Sequence, residues 1–99
     1  MYYDPYLSYF LQMIDKKSIV QKENYISFEA VNYVMPLRIE DLSMEDGEIK
    51  LNKNLPVDWG LGDRVRFEIN IKGENPKVRI KVREVGELVF SLKNILSSL

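Results

Sequence analysis

Alternation of apolar and polar residues is the dominant pattern along this 99-residue chain. It is most regular over residues 64–72 and 77–85. The apolar positions that alternate there are Val65, Phe67, Ile69, Ile71, Val78, Ile80 and Val82. A period of two is that of a half-buried strand. With Gly73-Glu74-Asn75-Pro76 between them, the two segments predict an antiparallel hairpin.

A second hairpin is predicted over residues 37–51. Leu37 and Ile39 precede a polar centre, Ile49 and Leu51 follow it, and Asp46-Gly47 is a strong turn signal within it. Shorter apolar patterns predict strands at residues 25–33, 34–42 and 87–90. Between the hairpins lies a connection rich in glycine and proline, residues 52–63, in which we expect Trp59 to fold back over the core.

Both ends of the chain show helical spacing. Asp4-Pro5 is a typical helix start, and the residues that follow have an i, i+3, i+4, i+7 stripe: Leu7, Phe10, Leu11 and Ile14. Ser91 precedes a similar stripe of Leu92, Ile95, Leu96 and Leu99. We therefore predict one mainly β domain over residues 1–99. It has an N-terminal helix (1–15), a small antiparallel five- or six-stranded β-barrel (22–90) and a C-terminal helix (91–99).

Composition narrows the chemistry. The chain has no cysteine and no histidine, which excludes disulfides and thiol catalysis and removes the commonest general base and metal ligand. No apolar run approaches the roughly 20 residues of a membrane helix, and no secretion signal is evident. We predict a cytoplasmic, non-enzymatic protein with no membrane insertion, no catalytic residue, no metal and no resident cofactor.

Charge is unevenly distributed although the net charge is only −1. Residues 64–83 contain seven basic and two acidic residues. On paired strands the basic side chains would share one outward face, with Arg64, Arg66, Arg79, Lys81 and Arg83 as its main members. That face would suit an acidic protein partner. Nucleic acid is a less favoured ligand, because no outward aromatic side chains alternate with the cations.

Four tyrosines near the N-terminus fall outside the apolar stripe of the first helix: Tyr2, Tyr3, Tyr6 and Tyr9. Two interpretations stay open. The rings pack against the mouth of the barrel with their hydroxyls in water, or they form a rim for a partner chain, since tyrosine is enriched at interfaces. The second interpretation is compatible with a homodimer.

The order of motifs in residues 17–99 resembles the PilZ family, small bacterial barrels that bind cyclic di-GMP. The family has an Asp/Asn-x-Ser-x-x-Gly signature after its first strands, and this chain has Asp41-Leu42-Ser43 followed by Gly47. A Pro/Gly connection, two long strands, a short strand and a helix then follow in the family's order. The resemblance implies a cyclic di-GMP site that includes Lys17, Lys22, Asp41, Ser43 and Gly47.

Two departures weaken that implied site. Asp46 stands where the family has glycine, and the family's Arg-x-x-x-Arg motif is replaced by Lys17 with Gln21 or Lys22. Arginine binds phosphate through two parallel hydrogen bonds, a geometry that lysine cannot provide. Losing two charge-assisted contacts of about 1.5–3 kcal/mol each would weaken binding a hundredfold or more.

We therefore predict a divergent PilZ-like regulatory module that binds cyclic di-GMP weakly or not at all. By resemblance it acts through protein contacts in motility or related signalling. The alternatives are a functional cyclic di-GMP receptor and a single-stranded nucleic-acid binder that uses the basic face.

Overall fold

The computed structural model describes residues 5–33, 37–52, 57–73, 76–83 and 86–97. These residues form two short helices and eight strands. In chain order the elements are α1 (Pro5–Met13), β1 (Ile14–Lys22), β2 (Tyr25–Val31), β3 (Leu37–Glu45), β4 (Gly47–Leu51), β5 (Val57–Trp59), β6 (Arg64–Ile71), β7 (Lys77–Val82), β8 (Gly86–Ser91) and α2 (Leu92–Ser97).

The strands lie in two four-stranded antiparallel sheets. Sheet A has the order β1-β2-β6-β4, and sheet B has the order β5-β3-β7-β8. The predicted mainly β fold with a helix at each end is confirmed. The prediction of one barrel of five or six strands is not, because the described residues form eight strands in two sheets and no closed barrel.

Strand β1 begins at Ile14, within the segment that we assigned to the N-terminal helix. The helix prediction was wrong there because Asp15-Lys16-Lys17 is a common helix end, and a β-bulge hides the strand's period. Asp15 pairs with Glu29 but Val20 pairs with Ser27, so β1 has three more residues than its partner across this interval. Such a bulge disrupts the alternation by which a strand is recognised.

Both predicted hairpins are wrong in their pairing. In the first, residues 37–51, β3 pairs with β5 and β7, whereas β4 pairs with β6. In the second, residues 64–85, β6 pairs with β2 and β4, whereas β7 pairs with β3 and β8. Alternation identifies the buried face of a strand but not its neighbour. Both sheets bury one face in the same core, so the burial pattern is the same whichever sheet a strand joins.

The core lies between the two sheets and includes residues of both helices. Phe10 of α1 contacts rings on both sides. Its centroid is 6.4 Å from Phe28 and 5.9 Å from Phe67 of sheet A, both edge-on, and 6.0 Å from Phe90 of sheet B in a stacked arrangement. Phe28 and Phe67, which are directly paired across β2 and β6, stack at 5.1 Å. Helix α1 is therefore anchored between the sheets by one aromatic side chain.

Several core positions match the alternation. Val65, Phe67, Ile69, Val78, Ile80 and Val82 are buried, as are Leu92 and Ile95 of α2 and Trp59. Met13, which does not belong to the stripe of Leu7, Phe10, Leu11 and Ile14, is also buried, with 1% of its surface exposed. It lies at the last position of α1, where the chain turns into sheet A and both the helix and the strand face the core.

Asn32 is a buried polar residue that holds the loop before β6 in place. Its side-chain amide donates to the Trp59 carbonyl at 2.6 Å, and its backbone N–H donates to Asp63 at 3.0 Å. Trp59 Nε1 donates to the same Asp63 carbonyl at 3.0 Å. These bonds satisfy polar groups that burial would otherwise penalise.

We predict that Phe10→Ala lowers the free energy of unfolding by about 3–5 kcal/mol, because it opens a cavity where both sheets meet. Urea titration followed by Trp59 fluorescence and circular dichroism measures the change. The control is Leu61→Ala, at a side chain that is 63% exposed, which we expect to change stability by about 0.5 kcal/mol or less. Equal losses in the two variants would contradict the central position of Phe10.

Candidate functional site

Asp41 and Ser43 lie on β3 with exposed side chains. A β-bulge between Ile39 and Asp41 sets this orientation: Ile39 pairs with Val82 but Asp41 pairs with Lys81. Residues two apart on a regular strand face the same side, and the extra residue reverses that phase. Ile39 is consequently buried while Asp41 faces outward.

The outward face of sheet B alternates in charge from strand to strand. Asp41 is paired with Lys81 across β3 and β7, and Ser43 with Arg79. Arg79 donates to Glu87 at 2.8 Å and to Glu45 at 3.3 Å. The hydrogen bonds that Arg79 donates to these two carboxylates raise its pKa above the ordinary value, and the bond to Glu87 has the larger effect. The guanidinium beside Ser43 is thus already engaged by two carboxylates.

The other arginines of the predicted basic face are also paired. Arg83 lies 3.4 Å from Glu40 on sheet B. On sheet A, Arg64 donates to Glu29 and, at 3.3 Å, to Asp15. Both bonds raise the pKa of Arg64, and the bond to Glu29 has the larger effect.

Arg66 on β6 donates to Glu68 at 3.3 Å and to Ser27 at 3.5 Å. Arg64 and Arg66 therefore belong to sheet A, while Arg79, Lys81 and Arg83 belong to sheet B or follow it directly. The strand pairing on which we based one shared basic surface is not present.

Lys17 and Lys22 are exposed on β1, at the edge of sheet A. Lys17 lies in the bulge, where Ser18 Oγ donates to the Asp15 carbonyl at 2.6 Å and accepts the Glu29 N–H at 2.8 Å. That hydroxyl replaces a ladder bond that the bulge removes. The lysine positions are therefore defined by an ordered, hydrogen-bonded backbone.

The structure does not gather the five residues of the implied nucleotide site. β1 and β4 are opposite edges of sheet A, so Lys17 and Lys22 are separated from Gly47 by three strand spacings, or about 14 Å. Asp41 and Ser43 are in the other sheet. Gly47 lies beside neither lysine.

The packing of β4 against β6 explains why residue 47 is glycine. A Cβ at this position would lie 2.6 Å from the Asn70 carbonyl oxygen, because β4 approaches β6 closely there. The preceding residue, Asp46, is the one residue between β3 of sheet B and β4 of sheet A, and it has a left-handed φ of 62°. The turn therefore needs the Asp-Gly pair whether or not a ligand binds.

Tyr2 and Tyr3 of the predicted partner helix lie outside the described residues. Tyr6 and Tyr9 are within α1, but their side chains are outside the described part. The same helix contributes Phe10 and Met13 to the core, so α1 is an integral part of the fold.

A groove between α2 and β1 is a feature that we did not predict from the sequence. It consists of two adjoining cavities of about 420 and 360 Å³, and Gln21 and Leu96 line both. The other lining residues are Lys16, Ile19, Ile71, Gly73, Pro76, Leu92, Lys93 and Ser97. The stripe of α2 was visible in the sequence, but its position beside β1 depends on the strand that we missed.

The chain matches no protein-family model, no curated protein and no solved structure. The likeness to the PilZ family therefore rests on the motif residues alone. Within the described ranges, no helix has the length and apolar character needed to cross a membrane. The same ranges hold no cluster of three or more metal-ligating carboxylates.

We predict that Gly47→Ala destabilises the protein by about 1–3 kcal/mol, because the added methyl group overlaps backbone that cannot move without breaking the β4–β6 ladder. Thermal and urea unfolding measure the loss. Gly60→Ala is the matched control, since a Cβ there meets nothing nearer than 3.4 Å. A Gly47→Ala protein as stable as the control would show that the turn can relax.

Proposed function

We propose that this chain is a divergent PilZ-like regulatory module, non-enzymatic and cytoplasmic, that works through protein contacts in bacterial motility or related signalling. In this proposal cyclic di-GMP binds weakly or not at all. The observation on which the proposal depends is the separation of Lys17 and Lys22 from Asp41 and Ser43 on different sheets.

The charge pattern supports weak nucleotide binding. A phosphate approaching Ser43 meets Arg79, but that guanidinium already donates to Glu45 and Glu87. Binding would require breaking these bonds or bringing the phosphate close to two carboxylates. The lysines on β1 offer point charges without the bidentate geometry of arginine.

The backbone at Asp46 supports the family resemblance itself. This residue occupies the position of the family's glycine and adopts a φ of 62°. Glycine reaches that region without steric cost, and aspartate is among the few other residues that tolerate it. The same backbone turn is thus compatible with the family's motif despite the changed residue.

We expect isothermal titration calorimetry to give a dissociation constant for cyclic di-GMP of about 100 µM or weaker, because the bidentate contacts of a micromolar site are missing. The variants to compare are Ser43→Ala and, as control, Ser97→Ala at an exposed helix end. Micromolar binding that Ser43→Ala abolishes and Ser97→Ala preserves would establish the receptor alternative instead.

We expect no strongly salt-dependent binding to single-stranded oligonucleotides. The arginines are paired with carboxylates and distributed over two sheets, so few cations are available to release counterions from one strand. Fluorescence anisotropy at about 50 and 200 mM salt tests this expectation. Affinity that falls steeply with salt and is lost in Arg79→Glu/Lys81→Glu would favour the nucleic-acid alternative.

A further inference from the structure

We propose that the groove between β1 and α2 binds an extended acidic segment of a partner protein, which adds to sheet A as a fifth strand beside β1. The inference rests on the proposed function, since it identifies the surface through which protein contacts are made. Three features of the described residues around the groove support it: a strand edge without a partner strand, an apolar lining, and lysines that form no ion pair.

The free edge belongs to β1, which among the described residues pairs with β2 alone. Lys22 and Tyr25 flank a two-residue turn, so they form a hydrogen-bonded pair and the next residue, Gln21, directs its N–H and C=O away from β2. Backbone groups of this kind are ready to accept another strand. The Gln21 side chain lines both cavities, so the free backbone lies at the groove itself.

The lining is suited to alternate side chains of such a strand. Ile19, Ile71, Pro76, Leu92 and Leu96 provide apolar surface on both sides of the groove. A volume of about 420 Å³ lies within the range of about 300–1,000 Å³ that is usual for ligand sites. Every second side chain of an added strand points toward one face, and apolar residues at those positions would enter the cavities.

The charge around the groove selects the partner. Lys16 of β1 and Lys93 of α2 line it. Lys17 and Lys22 also lie on β1. Among the described residues none of these four lysines forms an ion pair, whereas Arg64, on the neighbouring part of sheet A, is held by two carboxylates. A segment with acidic residues at its outward positions would neutralise these lysines, and opposite charges across paired strands are stabilising.

A second copy of this chain is a poorer occupant. Antiparallel pairing of two β1 strands would bring the lysines of one copy close to those of the other. Like charges on paired strands are destabilising, and lysine on an edge strand is a common protection against self-association. The lysines thus oppose pairing between copies and favour an acidic partner strand.

The test is an NMR titration of the ¹⁵N-labelled full chain with an eight-residue peptide that alternates valine and glutamate. We expect amide shifts confined to residues 18–22 and 92–97. The matched control peptide alternates valine and lysine and should cause none of these shifts. Equal shifts with both peptides, shifts mapping elsewhere, or no shift at millimolar peptide would overturn the proposal.

Two variants of the chain separate the contribution of the β1 backbone to peptide binding from that of the lysine charges. Gln21→Pro removes the outward N–H but leaves the ladder to β2, a position where an edge strand tolerates proline, and should abolish binding. Lys16→Glu/Lys93→Glu leaves the backbone intact and should weaken binding about fivefold to tenfold. Lys81→Glu, which reverses the charge of one lysine on sheet B, should leave binding unchanged.

Sedimentation velocity of the free chain provides a further check. A concentration-dependent dimer that Gln21→Pro dissociates would identify a second copy as the occupant and overturn the proposal. Failure of these experiments is distinct from failure of the proposed function, because the latter is tested by cyclic di-GMP calorimetry with Ser43→Ala, a residue of β3 in sheet B.

Discussion

The contact of Phe10 with both sheets is the interaction on which the rest of the structure depends. Its ring packs on Phe28 and Phe67 of sheet A and stacks on Phe90 of sheet B. After β2 the chain changes sheet at every connection until β7, so neither sheet can be completed without the other. Four of the six strand pairings among the described residues therefore join strands that are not consecutive in the chain, and their entropic cost is offset only when the shared core forms. The helix that brings Phe10 between the sheets is accordingly part of the folding unit, whatever else its tyrosines do.

The motif that suggests a nucleotide site is largely explained by the geometry of one crossing. The bulge near Glu40 turns Asp41 and Ser43 outward. Asp46, whose backbone is in the left-handed region, connects β3 of sheet B to Gly47, the first residue of β4 in sheet A. Gly47 is required by the nearby Asn70 carbonyl. Asp46 and Gly47 thus have a structural role that is sufficient to explain their presence. Whether a ligand binds therefore depends on where the cations lie. Those on β1 lie at the opposite edge of sheet A from Gly47, and Asp41 and Ser43 are in sheet B.

Arginine and lysine are used differently in this molecule. Arg64, Arg66, Arg79 and Arg83 each donate to or lie beside a carboxylate, and most of these pairs join different strands. Exposed pairs of this kind contribute little stability individually. Their larger consequence is that the guanidinium groups are occupied, so an approaching partner meets chiefly the lysines. Counting both residue types as one basic face, as the sequence invites, conceals this difference.

The sequence by itself determined the mainly β class, the buried faces of β6 and β7, the apolar stripe of α2 and the burial of Trp59. Each of these follows from local periodicity or composition, because a side chain's direction along a strand or helix is set by its own backbone. Only the tertiary structure decided which strands pair, that β1 exists, and where the groove lies. Pairing depends on contacts between distant residues, and alternation is identical for every sheet that buries one face. The candidate site divides in the same way: Asp41, Ser43 and Gly47 were recognisable as a motif, but the distance between the motif and the lysines of β1 is a property of sheet order alone.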